Sequence, residues 1–194
     1  MVQSFAVIDR EIGAHSFSPA EYAVVRRVIH STADFEFKDL VRFSPGAIAG
    51  AIAALKQQTP IVTDVSMVKH GISTVVGQTF QNPVISAIEQ ANVALPGKTR
   101  TETGILKCLE HYPEAIYAIG NAPTALLALC QQVSATCQPA LVIGAPVGFI
   151  AVEESKVALA TTSIPQIRVE GRKGGSAVAA AIVNALLVLA WQEP

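Results

Sequence analysis

The sequence has few charged side chains, and no part of it is strongly basic. Asp, Glu, Lys and Arg make up 15% of its 194 residues, and the formal net charge at pH 7 is −1. A nucleic-acid groove or a surface for anionic membranes needs an excess of Lys and Arg, so neither is indicated. An anionic ligand has to be met by a few local basic residues.

Cysteine and histidine are scarce, and they do not stand at metal-binding spacings. Cys108, Cys130 and Cys137 form no C-x-x-C pair, and the four histidines form no H-E-x-x-H motif. The sequence therefore predicts no metal site in the protein. Free thiols are typical of a reducing compartment, and the N-terminal residues lack the apolar segment of a secretory signal. We therefore expect a cytoplasmic protein.

Long hydrophobic runs are also missing. The most apolar stretch, residues 177–191, is short for a membrane span and contains Asn184. We interpret it as a buried helix and expect no membrane partner. Because 51% of the residues are hydrophobic, much of the chain must be buried. The length favours a single domain over residues 1–194.

Two segments near the N-terminus carry helix-start signals. In FSPAEYAVVRRVIH, Ser18 is a predicted N-cap, Pro19 takes the first helical position and Glu21 completes a capping box. The segment SPGAIAGAIAALKQQ repeats the pattern, with Ser44 and Pro45 expected in the same two roles. Both segments predict an α-rich region in the first sixty residues.

Short apolar runs alternate with helical patterns from residue 60 onward. The runs are PIVTDV, NPVISAI, AIYAIG, PALVIGA and PQIRVEG, at residues 60–65, 82–88, 115–120, 139–145 and 165–171. Because helical patterns separate them, right-handed crossovers should join these strands into one largely parallel sheet. The predicted fold class is α/β, a three-layer sandwich with a mostly parallel five-stranded sheet and an α-rich N-terminal segment.

Open parallel sheets bind their ligands beyond the carboxyl ends of the strands. The turns expected there are DVSMVKHG, GNAP, GAPVGF and GRKGGS, at residues 64–71, 120–123, 144–149 and 171–176. None has the spacing of a phosphate-binding loop, which argues against a nucleotide-dependent enzyme. We interpret GNAP as a helix start. GRKGGS precedes a helix and contains Arg172 and Lys173, which leaves open an anion site or a plain tight turn.

His30 is the candidate acid–base residue that the pattern isolates. It lies near the end of a well-capped helix, where the helix dipole favours a charged imidazole. Arg26 and Arg27, one turn earlier, favour the neutral form. Such opposed influences suit an imidazole to proton transfer. The alternative is a histidine that only caps the helix. His70 is expected in a strand-exit loop, within reach of a ligand.

A more specific signal comes from a series of longer segments. They are RRVIHSTADFEF, FSPGAI, PIVTDVSMVKHGI, KTRTETG, GNAPTAL, PALVIGAPVGFIAVEESK and EGRKGGSAVAAAIVNAL. Together they resemble the precorrin-8X methylmutase (precorrin isomerase) family over nearly the whole chain. The resemblance implies an isomerase of corrin-ring biosynthesis for cobalamin. Such an enzyme moves a methyl group from carbon 11 to carbon 12 of the macrocycle without redox change or added cofactor.

The resemblance also implies roles for individual residues. His30 ends the family's R-x-V-I/V-H motif and is implied to protonate a ring nitrogen and take the proton back. Ser4, Arg27 and Arg100 match further family positions and are implied to hold the carboxylates of a tetrapyrrole substrate. Lys69 joins this substrate-binding set. Lys69 and the segment STADFEF after His30 resemble the cobalt-pathway branch of the family and imply cobalt-precorrin-8 as the substrate. The cobalt would arrive inside the substrate and would need no protein ligand.

The resemblance further implies a homodimer with active sites near the subunit boundary. The segment GRKGGSAVAAAIVNALLVLAW agrees, because a helix that is apolar all round must be covered on every side, by its own chain or by a partner. A non-catalytic corrinoid-binding or carrier protein remains an alternative. It would use the same arginines but would not need His30.

Overall fold

The computed structural model describes residues 2–192, and within them helices flank a six-stranded sheet. The strands are β1 Val41–Phe43, β2 Ile61–Thr63, β3 Val84–Ser86, β4 Ile116–Ile119, β5 Leu141–Gly144 and β6 Gln166–Val169. The helices are α1 Val2–Glu11, α2 Pro19–Thr32, α3 Phe37–Leu40, α4 Ala47–Lys56, α5 Ser66–Gln78, α6 Arg100–His111, α7 Pro123–Gln132, α8 Val152–Ala160 and α9 Ser176–Gln192. A 3₁₀ helix spans Ala87–Gln90. The single domain predicted over residues 1–194 stays a prediction, and residues 1, 193 and 194 lie outside the described part.

The strand order is β1-β6-β5-β4-β2-β3. All strands predicted from the sequence, β2 to β6, are present and parallel to one another. The predicted α/β class is confirmed, but the description as a five-stranded, mostly parallel sheet is slightly off, because the described residues form a mixed sheet with a sixth strand. That strand, β1, pairs antiparallel with β6, and Val41 lies opposite Val169. Strand β1 follows α3 without a break and precedes the predicted helix start at Ser44, so the sequence shows no separate strand pattern there.

The sheet has a hydrophobic core on each face. Side chains alternate along a strand, so Ile116 and Ala118 of β4 face one core and Tyr117 and Ile119 face the other. The first core is covered by α1, α2, α4, α5 and α9, and the second by α6, α7 and α8. The α-rich first sixty residues therefore belong to one outer layer of an α/β/α sandwich.

The two predicted helix starts have different outcomes. Helix α2 begins as predicted, because Ser18 Oγ accepts from Glu21 N while the Glu21 carboxylate accepts from Ser18 N at 2.8 Å. The start of α4 was predicted wrongly, because its N-cap is Gly46 and not Ser44. Ser44 instead continues the pairing of β1 with β6. Its Oγ accepts from Gln166 N at 2.8 Å and its N–H donates to Gln166 O at 2.9 Å.

Helices α5 and α9 pack closely against each other. The turn expected at residues 64–71 is mostly the first half of α5, so Lys69 and His70 are helical and do not lie in a loop. A Cβ at Gly71 would come 2.8 Å from Ala180 Cβ of α9, which explains the small residues on both helices. The buried helix predicted at the C-terminus is confirmed as α9. No helix in residues 2–192 is long and apolar enough to cross a membrane.

Candidate active site

His30 lies in the last turn of α2 with its side chain exposed. The carbonyls at this helix end have other donors. Thr32 Oγ1 donates to Val28 O at 2.9 Å, and Ala33 N donates to Ile29 O at 2.8 Å. Within the described residues no hydrogen bond engages the His30 ring, so it does not act as the cap of the helix.

A cavity of about 380 Å³ opens between α1 and the end of α2. Its lining residues are Ser4, Val7, Ile8, Glu11, Ile29, His30, Ala33 and Phe35. Two predicted site residues, Ser4 and His30, therefore come together although 26 positions separate them in the sequence. The volume is near the lower end of the usual range for ligand pockets, and it suits one edge of a large ligand.

The two arginines one turn before His30 differ in their partners. Arg26 Nη1 lies 3.0 Å from Asp9 Oδ2 in an ion pair. Arg27 is half-buried and has no hydrogen bond or ion pair within residues 2–192. Burial lowers the pKa of Arg27, and the neighbouring charge of Arg26 lowers it further. Because a guanidinium stays charged in proteins, Arg27 is a ready partner for a ligand carboxylate.

Lys69 and Arg100 are not part of the His30 cavity. They hold the segment 88–91 that follows β3. Lys69 Nζ lies 2.8 Å from Glu89 Oε2, and this contact lowers the pKa of Glu89. Arg100 donates to the carbonyls of Ala91 and Ile88 at 3.1 and 3.3 Å. Within one chain, the predicted substrate-binding residues therefore form two groups at the carboxyl edge of the sheet.

Asp64 is a buried carboxylate that the sequence analysis missed. It follows β2 directly and is fully buried. Its oxygens accept from the N–H groups of Val65, Gly120, Asn121 and Ala122 at 2.7–3.0 Å. Burial raises the pKa of Asp64, and these four donors oppose the increase. Asp64 thereby fixes the loop after β4, and an aspartate directly after a buried strand was the available signal.

The GRKGGS turn is already occupied by contacts within the protein. Lys173 Nζ lies 2.6 Å from Asp34 Oδ2 and also binds the Glu36 carboxylate. The buried Lys156 ammonium donates to the carbonyls of Gly171 and Lys173, both at 2.7 Å. The turn therefore supports the segment that follows His30, which favours the tight-turn interpretation over an anion site. Within residues 2–192, no group of three or more His, Cys, Asp or Glu side chains is placed to hold a metal ion.

The α/β fold is typical of enzymes that bind ligands at the carboxyl edge of a sheet, and the cavity that contains the predicted acid–base residue His30 is the candidate for such a site. The sequence model of the precorrin-8X methylmutase family matches residues 1–189, and the chain belongs to that family.

Individual relatives agree with this assignment over almost the whole chain. A cobalt-precorrin-8 methylmutase of Synechocystis sp. is 57% identical over 208 aligned positions, which cover 100% of this chain and 96% of the relative. A precorrin-8X methylmutase of Pseudomonas aeruginosa is 41% identical, with 95% and 91% covered. The crystal structure of precorrin-8X methylmutase from Thermus thermophilus superposes with a TM-score of 0.92 at 41% identity, over 97% of this chain and 94% of that one. The predicted isomerase of corrin biosynthesis is confirmed, and nothing in these comparisons supports the carrier alternative.

Proposed function

We propose that the chain moves a methyl group from carbon 11 to carbon 12 of cobalt-precorrin-8 to give cobyrinate, with His30 as the acid–base residue. The observation that carries the proposal is the cavity shared by His30 and Ser4, with the unpaired Arg27 three positions before His30 on α2. The cobalt-containing substrate is supported by relatives named cobalt-precorrin-8 methylmutase at 57% and 40% identity. The STADFEF segment and Lys69 support the same choice.

The proton transfer requires only one group on the protein. His30 in its protonated form donates to a ring nitrogen beside the migrating centre, which withdraws electrons from the conjugated system. The methyl group then moves with its bonding electron pair from carbon 11 to carbon 12 within the same molecule. The neutral His30 takes the proton back, so no atom is gained or lost. A positioned general acid of this kind contributes on the order of 10²–10⁴ in rate.

The substrate is a flat ring with carboxylates around its rim. Its basic partners are proposed to contribute to binding in the order Arg27, Arg100, Lys69. Arg27 has all its N–H donors free within the described residues and should contribute most. Arg100 uses two of five donors on carbonyls and keeps the others for a ligand. The Glu89 carboxylate compensates the charge of Lys69, so Lys69 should contribute least. Ser4 offers a hydroxyl at the cavity wall.

The proposed assembly is a homodimer across the carboxyl edge of the sheet. Helix α9 does not supply the contact, because its own chain covers it along most of its length. Large apolar side chains at this edge are instead exposed: Met67 at 71%, Val93 at 79%, and Phe149 and Ile150 at 86% each. A second copy would cover them and bring the Lys69 and Arg100 group of one chain towards the cavity of the other.

The proposed compartment is the cytoplasm. Cys108, Cys130 and Cys137 are free thiols. Burial raises the pKa of Cys108 and of Cys130 to about 11, so both stay protonated and unreactive. Inert thiols of this kind are typical of a reducing compartment.

The test is incubation with cobalt-precorrin-8 without additives, followed by the absorption of the product. The wild-type protein should convert the substrate, and His30→Ala should lose turnover while it still binds the product. His111→Ala is the matched control, because His111 is exposed on α6 and bonds only its own helix. Wild-type turnover by His30→Ala would remove the acid–base assignment. A wild-type protein that binds product but converts nothing would establish the carrier instead.

A further inference from the structure

Five planar groups from α1, α2 and the loop between them stack in a row that ends at His30, and we call this row the α1–α2 ladder. His15 stacks on Tyr22 with ring centroids 4.5 Å apart. The Arg26 guanidinium lies 5.4 Å from the Tyr22 centroid and 4.4 Å from the Phe5 centroid. Phe5 then meets the His30 ring edge to face, with centroids 5.3 Å apart and planes at 78°. The ladder thus connects the acid–base residue to groups that lie outside the cavity.

One carboxylate holds the ladder together. Asp9 accepts from Arg26 Nη1 at 3.0 and 3.3 Å and from the Tyr22 hydroxyl. Burial and the contact with Asp9 raise the pKa of Tyr22 to about 12, so its hydroxyl remains a donor throughout the neutral range. Asp9 lies on α1, whereas Tyr22 and Arg26 lie on α2. The carboxylate therefore sets the position of α1 relative to the helix that carries His30.

The placement of α1 matters because this helix forms one wall of the cavity. Ser4 and Phe5 are neighbours on α1, and both are part of the same site: Ser4 lines the cavity and Phe5 touches the His30 imidazole. Few other contacts hold α1, since only Ile8 is buried among its described side chains. A shift of α1 would move both residues relative to His30 together.

We propose that Asp9 and Arg26 are positioning residues for the proton-transfer step. They fix α1 so that Phe5 restrains the His30 ring in one orientation and Ser4 stays at the cavity wall. Neither residue lines the cavity, and Asp9 and two aromatic rings already engage the Arg26 guanidinium. The inference rests on the proposed role of His30. Arg26 acts through its planar shape as well as its charge, because the same group binds a carboxylate and stacks on two rings.

Kinetics of Asp9→Asn and Arg26→Lys test the proposal. Asp9→Asn keeps the shape of the side chain but weakens the ion pair, and Arg26→Lys keeps the charge but loses the planar stack. Both should lower kcat about tenfold and leave KM within about twofold, since a 1 Å misplacement can cost about a hundredfold. Asp9→Glu keeps a carboxylate and should restore most of the rate. Asp39→Asn, an exposed change on α3, is the control and should leave kcat unchanged.

A spectroscopic measurement separates positioning from simple loss of structure. In wild-type protein, Phe5 should displace the proton resonances of the His30 ring through its ring current, and His30→Ala identifies those resonances. Asp9→Asn should move them, while the thermal midpoint shows that the variant is folded. An unmoved His30 resonance, or a raised KM at unchanged kcat, would overturn the proposal. If His30→Ala keeps its activity, the proposed function fails, but the resonance shift still tests the positioning.

Discussion

At the scale of single residues, Lys156 is a buried cation whose ammonium binds backbone carbonyls. Its side chain is 3% exposed, and it donates to Gly171 and Lys173 at the entry to α9. Burial lowers the pKa of Lys156 from 10.5 to about 8, and the Glu153 carboxylate opposes the shift. Below about pH 8 the folded protein therefore bears the full cost of burying this charge.

This cost predicts a pH dependence of stability. Between about pH 8 and 10.5, the unfolded chain still binds the proton that the folded protein has released. The free energy of unfolding should therefore rise with pH through this window, by up to about 1.4 kcal/mol per pH unit. Urea unfolding of wild-type and Lys156→Met proteins across the window measures the difference. If the free energies of unfolding of the two proteins changed in parallel from about pH 8 to 10.5, the lowered pKa of Lys156 would be contradicted.

A second prediction concerns the two arginines that are proposed to bind the substrate. Arg27→Ala should remove charge-assisted hydrogen bonds of about 1.5–3 kcal/mol, which weakens product binding by roughly one to two decades. Arg100→Ala should weaken binding less, because Arg100 already serves the carbonyls of Ile88 and Ala91. Titration with the product measures both affinities, with Arg10→Ala as the control, since its side chain is 72% exposed. Wild-type affinity in Arg27→Ala would place Arg27 outside the site.

At this scale the sequence predicted candidate site residues by type but could not distinguish neighbouring residues. Arg26 and Arg27 share a helix face, and the sequence does not say which one is free. Asp9, 17 positions before Arg26, decides this through a tertiary contact. Asp64 escaped notice for the same reason, because three of its four donors lie 56 to 58 positions further along the chain. The assignment of Ser4 to the site came from family resemblance and not from any local pattern.

At the scale of elements, the contact of α6 with the 3₁₀ helix depends on one glycine. A Cβ on Gly104 would come 1.9 Å from Ala87 O and 2.5 Å from Ala87 C. Gly104→Ala should therefore force the two elements apart and lower the free energy of unfolding by about 1–3 kcal/mol. Urea unfolding measures the change.

Gly50→Ala is the matched control for this substitution. Gly50 also lies inside a helix, α4, but among the described residues nothing meets its Cβ within 4 Å. Alanine there should raise the free energy of unfolding by about 0.4–1 kcal/mol through the reduced freedom of the unfolded chain. If both variants changed stability in the same direction, close packing at Gly104 would not be the cause.

The elements that the sequence predicted correctly are those with local signals. The capping box of Ser18 and Glu21 needs only four consecutive residues, β2 to β5 lie in short apolar runs, and β6 alternates polar and apolar residues. Ser44 carried the same local signal as Ser18, but its hydroxyl accepts a hydrogen bond from Gln166 N of β6 and does not cap a helix. Helix α5 was mistaken for a turn because Gly71 and the preceding residues look like a strand exit. Gly71 lies inside α5 and leaves room for the close approach of α9, and a single sequence does not show that approach.

At the scale of the whole molecule, the proposed homodimer is open to a direct measurement. Light scattering at micromolar concentration should give twice the 20.4 kDa mass of one chain. Phe149→Ser should shift the mass towards the single chain, because it removes an apolar side chain that is 86% exposed. Val157→Ser is the control, since Val157 is 62% exposed on α8, outside the proposed contact. A wild-type mass near 20.4 kDa would exclude the dimer.

The pairing of β1 with β6 limits how early during synthesis the fold around His30 can form. Ser44 is hydrogen-bonded to Gln166, 122 positions later, and Asp34, just after His30, binds Lys173, 139 positions later. While the ribosome has not passed residue 166, β1 has no partner strand and the segment behind the histidine has no support. His30 is thus among the first residues to leave the ribosome and among the last to be held in place. A shorter translation product would not hold His30 in its native position. We therefore expect only a nearly complete chain to act on the corrin substrate.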